Sequence, residues 1–90
     1  MRTEFLLSEL VNGNIVENKR GNRYLYLNKS FMCKDNGFDS AYYLDRDLFN
    51  EDLTFKMSNQ FDIVKVYRCK AKTLDTIFDD DKLTLIWERQ

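Results

Sequence analysis

The sequence predicts a mainly β (α+β) domain: a small SH3-like antiparallel barrel or bent sheet of five to six strands, led by a short N-terminal helix. Three observations predict it. Residues 61–68 (FDIVKVYR) and 83–88 (LTLIWE) hold the densest β-branched and aromatic content and the only Trp, so they read as central strands. The other apolar runs are short and broken by Asn, Asp and Gly, the punctuation of tight antiparallel turns. Ninety residues fit one domain, 1–90, and leave no room for a second.

In chain order, residues 3–11 (TEFLLSELV) read as a two-turn helix. Thr3 is placed to cap it, and Phe5, Leu6, Leu7, Leu10 and Val11 form an apolar stripe near helical spacing. So short a helix is marginal alone and has to dock its leucines on the sheet. Asn12-Gly13 stops it, with Gly13 free to take positive φ. Residues 14–17 (NIVE) and 23–28 (RYLYLN) read as antiparallel strands around the polar loop 18–22. Within the second, Tyr24 and Tyr26 share one face, and Leu25 and Leu27 share the other as the better core candidates. A barrel covered on its outside would use both faces. Residues 30–34 make a third strand, Asp35-Asn36-Gly37 is the clearest hairpin turn, and 38–44 resumes with Tyr42-Tyr43-Leu44 at its strongest. Residues 45–57 read as a long acidic connection with one helical turn, pinned by Leu48, Phe49, Leu53 and Phe55. A connection of that length in so small a domain is often functional. Residues 73–78 (TLDTIF) read as one capped helical turn and Asp79-Asp80-Asp81-Lys82 as the turn into the last strand.

Composition removes several chemistries. The chain has no histidine, which excludes Ser-His-Asp and Cys-His nucleophiles, Cys/His zinc sites and the usual neutral-pH proton shuttle. Cys33 and Cys69 stand far apart in sequence; they read either as a disulfide or redox pair, or as two small apolar side chains kept reduced in a cytosol. Gly13, Gly21 and Gly37 stand apart, so no phosphate-cradling loop accompanies them and no cofactor is implied. No apolar run approaches the roughly 18 residues of a membrane span. The N-terminus carries Glu4 and Glu9 within its apolar stretch, unlike a signal peptide, so a cytoplasmic, non-enzymatic protein is expected.

Charge is unevenly spread although the net is only −1. Residues 1–34 carry six cations against three anions, 35–62 two against seven, 63–72 four against none, and 73–90 two against five. Two surfaces follow. In the basic hairpin, Lys19, Arg20, Arg23 and Lys29, with Lys65, would contact phosphates while Tyr24, Tyr26 or Tyr67 stack on bases. An acidic sequence pI near 5.4 is not the usual footprint of such a protein. In the acidic segment, Asp45, Asp47, Glu51 and Asp52 with Tyr42, Tyr43 and Phe49 would meet a basic partner protein as aromatic anchors ringed by steering charge. The same carboxylates are candidates for a divalent cation, without the spacing of an EF-hand loop. A third surface is a ligand cleft lined by Tyr26, Lys65 and Tyr67.

The order of a leucine-rich start, NGNIVENKRGNRYLYL, the acidic NEDLT, DIVKVYR and a terminal LIWER resembles a group of small phage and prophage proteins of low-GC Gram-positive bacteria. The resemblance implies an SH3-like β fold and a mobile-element setting, and it supplies no catalytic residues. Small phage proteins of this kind often act by binding a host protein, sometimes a defence protein. The function expected is therefore a protein-interaction module acting as modulator or inhibitor of a host protein, with a nucleic-acid-binding barrel as the alternative and small-ligand sequestration third. The partner is a host or phage protein, or nucleic acid, with no membrane; both monomer and homodimer are open, the latter through an edge strand at 42–44.

Overall fold

Six antiparallel strands form one open sheet in the computed structural model, which describes residues 4–33 and 43–89: β1 (Ile15–Asn18), β2 (Arg23–Leu27), β3 (Ser30–Cys33), β4 (Tyr43–Asp45), β5 (Ile63–Cys69) and β6 (Leu83–Glu88). Their order is β4-β3-β2-β1-β5-β6. The mainly β architecture expected from the sequence is thus the one observed, and of barrel or bent sheet it is the sheet: no ladder joins β4 to β6 among the described residues. β1 to β4 run as a meander, and β5 returns across the long connection to lie beside β1, a Greek-key type of link.

Local chemistry explains each join. Asn18 closes the β1–β2 loop, its Oδ1 accepting from the backbone N–H of Arg20 and Asn22, while Gly21 takes φ +83°. Between β2 and β3, Asn28 and Lys29 both have positive φ (51° and 65°), the type I′ turn that suits a right-twisted hairpin. Gly13, at φ +98°, turns the chain into β1 as its position after the apolar start predicts. Register shifts occur between Glu17 and Asn18 on the β1–β5 ladder and between Val66 and Tyr67 on the β5–β6 ladder. Each leaves one residue over, Val64 and Ile86, and such bulges bend a sheet so that both its faces can be covered.

Both faces are in fact covered. On one, Val16, Tyr26, Phe31, Ile63, Val66 and Trp87 pack with Phe5, Leu7 and Leu10 of the start and Phe49 and Leu53 of the long connection. A chain of tilted and edge-on rings runs through it, with Tyr26–Phe31, Phe31–Phe49, Phe49–Phe55 and Phe55–Phe61 centroids 4.9–5.4 Å apart. On the other face, Ile15, Leu25 and Tyr67 pack with Ile77.

Three expectations are corrected, and the open choice between a disulfide and two separate cysteines is narrowed. The start is not a two-turn helix: only Leu7–Glu9 form a single 3-10 turn, between extended flanks. Its donors go elsewhere, Leu7 N–H to the Glu51 carbonyl (2.7 Å), Ser8 N–H to Glu51 Oε1 and Leu6 N–H to Glu9 Oε2, so the long connection and the Glu9 carboxylate, not a helix ladder, satisfy these amides. The tyrosines are not the solvent face of β2: Tyr26 is 3% exposed in the larger core and Tyr24 packs against it, while Leu25 belongs to the smaller one. β6 is not central but lies at the sheet edge, where the bulge at Ile86 and the flanking Lys82 and Glu88 blunt it against further pairing. Cys33 and Cys69 are no disulfide pair. They sit in β3 and β5, three strand spacings or roughly 14 Å apart, and the free Cys69 thiol points at the Ile77 carbonyl.

The helical turns of the connections are 3-10: Arg46–Leu48, Asn59–Phe61, Leu74–Thr76 and Asp80–Lys82. Thr3, Lys34, the Asp35-Asn36-Gly37 turn and the 38–42 part of the fourth strand lie outside the described residues. Among the described residues no helix is long and apolar enough to cross a membrane.

Candidate functional site

Antiparallel pairing of β1 with both β2 and β5 sets Glu17 opposite Arg23 on one side and Lys65 on the other. The Arg23 Nε lies 2.9 Å from Glu17 Oε1, and one of its terminal nitrogens donates to Asp80 Oδ1 (2.7 Å) and to the Phe78 carbonyl (3.0 Å). Its guanidinium also covers the Tyr67 ring, 5.3 Å from the centroid. Burial works to lower the Arg23 pKa, but the hydrogen bonds to Glu17 and Asp80 outweigh it and hold the pKa above the ordinary value. Lys65 bridges Glu17 and Glu88, each at 3.8 Å. Lys19 pairs with the buried Asp62 at 3.5 Å, and Arg20 stands over the Phe61 ring.

Of the cations expected in the basic hairpin, Arg20 and Lys29 are exposed without an acidic partner among the described residues, and the others are engaged within the fold. Arg23 and Lys65 are neutralised by acids of this same chain, and Tyr26, buried in the larger core, has no face to offer a base. Tyr24 is half-buried, and Tyr67 is buried beneath Arg23. The proposed cleft of Tyr26, Lys65 and Tyr67 is not one site either, since Tyr26 lies on the face opposite Tyr67.

Tyr67 reports this network directly. Its hydroxyl donates to Glu17 Oε1 at 3.3 Å, and burial first, then the charge of Glu17, raises its pKa above 10.0. Because the folded-state pKa is the higher one, the stability this group contributes is full below about pH 10 and is lost as pH rises through the folded value. Alkaline titration followed by tyrosinate absorbance is expected to show a late-ionising tyrosine that Tyr67→Phe removes. If the two proteins give superimposable curves, Tyr67 is not held as described.

The long connection behaves differently. Phe49 is 5% exposed and Leu53 fully buried, so Phe49 is a core residue and not the partner-facing anchor expected from sequence. Leu53 reaches its place at φ +73°, a left-handed conformation that costs a β-carbon-bearing residue of order 1–2 kcal/mol. The surrounding bonds hold it there: Leu53 N–H donates to the Asn50 carbonyl, Ile63 N–H to the Leu53 carbonyl, and Phe55 N–H to Asp62 Oδ1. With the apolar residues turned inward, Asp45, Asp47, Glu51 and Asp52 are exposed. Asp52 orders its own turn by accepting from the Thr54 hydroxyl and N–H, which lowers its pKa, and its carbonyl accepts from Arg89. Asp45 and Asp47 make no ion pair with any described residue. Beside them, Lys56 N–H donates to the Leu48 carbonyl and brings Met57, 76% exposed, alongside the 46–48 turn. Among the described residues no group of three carboxylates or cysteines is arranged to hold a metal. Tyr42 lies outside the described residues; Tyr43 lies in β4 opposite Met32.

A third group comes from the basic run 63–72. Arg68, Lys70 and Lys72 follow the central strand, are exposed and have no acidic partner among the described residues. The run of four cations without an acid at 63–72 is the signal that finds them. No protein-family model, curated protein or solved structure matches this chain.

Proposed function

We propose that this chain is a non-enzymatic protein-interaction module that presents the acidic connection, centred on Asp45, Asp47 and Met57, to a basic surface of a partner protein. One observation carries this reading: charges are paired unequally. Lys19, Arg23 and Lys65 are matched to acids within the fold, whereas Asp45 and Asp47 stand exposed without a described cation, next to the most exposed large apolar side chain of the described residues. Unpaired charge around a flexible, polarizable Met is the pattern that steers and then anchors a protein contact. The locked loop beneath adds pre-organisation, so little ordering entropy opposes binding. The likeness of DIVKVYR and LIWER to phage-type proteins supplies the setting of the proposal, a modulator or inhibitor of a host protein, with defence proteins as the first class to test. The exposed row Arg68, Lys70 and Lys72 is the observation that favours nucleic acid instead, but none of the aromatics whose side-chain burial is described is exposed to stack a base.

Affinity capture of the tagged protein from a bacterial lysate, with and without nuclease, tests the reading. A nuclease-resistant protein in stoichiometric yield is expected, lost with Asp45→Lys/Asp47→Lys/Met57→Asp and kept with Lys70→Glu/Lys72→Glu. Capture that vanishes with nuclease, or that survives the triple substitution, overturns it.

A further inference from the structure

The segment between β5 and β6 folds back as a loop closed at its neck, where Lys70 N–H donates to the Lys82 carbonyl at 2.9 Å. Its Ile77 plugs into the smaller core, and Arg23 ties Phe78 and Asp80 to the hairpin. Loops of this form, with close ends and their own packed side chains, are frequently functional. Here the loop leaves two adjoining hollows that share Ala71, Lys72 and Thr73. One, of about 330 Å³, is completed by Lys70, Thr76 and Lys82. The other, of about 280 Å³, runs under the loop onto Leu25, Leu27, Cys69 and Ile77, with Gly13 at its rim. Among the described residues, every charged side chain lining the pair of hollows is a lysine. Lys70 and Lys72 have no described acidic partner, and Lys82 has only the exposed Asp81, at 3.7 Å.

We infer that this double hollow binds a small amphipathic anion, a carboxylate or phosphate bearing a short aliphatic group. The head sits among Lys70, Lys72 and Lys82, while the hydroxyls of Thr73 and Thr76 bond each other across the loop; the aliphatic group lies on Leu25, Leu27, Ala71 and Ile77. Three ammonium groups around one hollow repel one another, and an anion seated there relieves the repulsion. The adjoining apolar floor removes hydrocarbon from water, so neither half of the ligand is sufficient alone. The combined volume is in the range of small-ligand sites, roughly 300–1,000 Å³. The site is independent of the 45–57 connection, so its fate and that of the interaction surface are separable.

The test is amide chemical-shift titration of the labelled protein at fixed ionic strength with four probes: octanoate, octyl phosphate, octanol and inorganic phosphate. Octanoate and octyl phosphate are expected to move the amides of residues 25–27 and 69–77. Octanol and phosphate should need concentrations at least about tenfold higher, and the stronger of the two amphipathic probes identifies the natural head group as carboxylate or phosphate. Lys70→Glu/Lys72→Glu should weaken binding by at least about tenfold without moving the melting temperature, since both side chains are exposed. The Lys70→Gln/Lys72→Gln protein should fall between. No shift at millimolar probe, or shifts elsewhere, overturns the inference. So does inorganic phosphate matching octyl phosphate, which would mark an adventitious ion only, or octanol matching octanoate.

Discussion

Replacing Trp87 by alanine is expected to cost about 3–5 kcal/mol of folding stability, the range for aromatic truncations in cores. Trp87 is 3% exposed and packs in the larger core, 6.1 Å from the Phe5 ring between centroids. The Arg89 guanidinium lies over the same ring, 5.1 Å from the centroid. Arg89 in turn donates to the carbonyls of Ile63 and Asp52, so the indole sits under a clamp joining the end of β6 to the long connection. Alanine would therefore open a cavity and loosen that clamp together. A domain of this size has only about 5–15 kcal/mol in hand, so a large share of its stability is at stake. Urea unfolding should show a lower midpoint with little change in slope. Trp87→Phe is the informative control. The indole Nε1 has no hydrogen-bond partner among the described residues, so phenylalanine loses volume but no bond. A cost nearer 1–2 kcal/mol is expected for it. An alanine variant melting like the parent would show that Trp87 is not a core residue.

The strands were legible because β-branched and aromatic residues cluster where backbone pairing is densest, and IVKVYRC and LTLIWE reveal themselves without tertiary information. Which face each residue would bury was not. Alternation places Tyr24 and Tyr26 opposite Leu25 and Leu27, but a sheet covered on both sides gives the pattern no preferred direction, and the tyrosines took the larger core. The N-terminal segment misled for a different reason. Phe5, Leu7 and Leu10 satisfy a helical stripe loosely, and the decision fell to Glu51, whose carbonyl and carboxylate take the amides a helix would have used. In the candidate sites, charge type was readable and charge pairing was not. Nothing near Arg23 in sequence announces Asp80, 57 positions away, and that pairing decides whether Arg23 faces a ligand or holds the fold.

Arg23→Glu is accordingly expected to destabilise the fold by about 2–4 kcal/mol, as breaking a partly buried charge pair does. The reversed charge would face Glu17 across the β1–β2 ladder, where Arg23 now stands. It would also leave the Phe78 carbonyl without its donor and Asp80 without its cation, releasing the loop that plugs Ile77 into the smaller core. Lysine at this position keeps the charge but not the forked donors or the stacking on Tyr67, so Arg23→Lys should cost about 1 kcal/mol. Arg20→Glu supplies the contrast. Arg20 is exposed and its one described side-chain contact is the Phe61 ring at 5.7 Å, so a cost near 0.5–1 kcal/mol is expected. Urea midpoints for the three variants give the ordering directly. If the hairpin were instead a nucleic-acid surface, Arg20→Glu and Arg23→Glu would weaken binding alike and leave the midpoints together. A wide separation, with Arg23→Glu lowest, is the signature of a guanidinium that belongs to the fold, and the same variant should then lose octyl phosphate binding because the loop over the double hollow has lost its anchor.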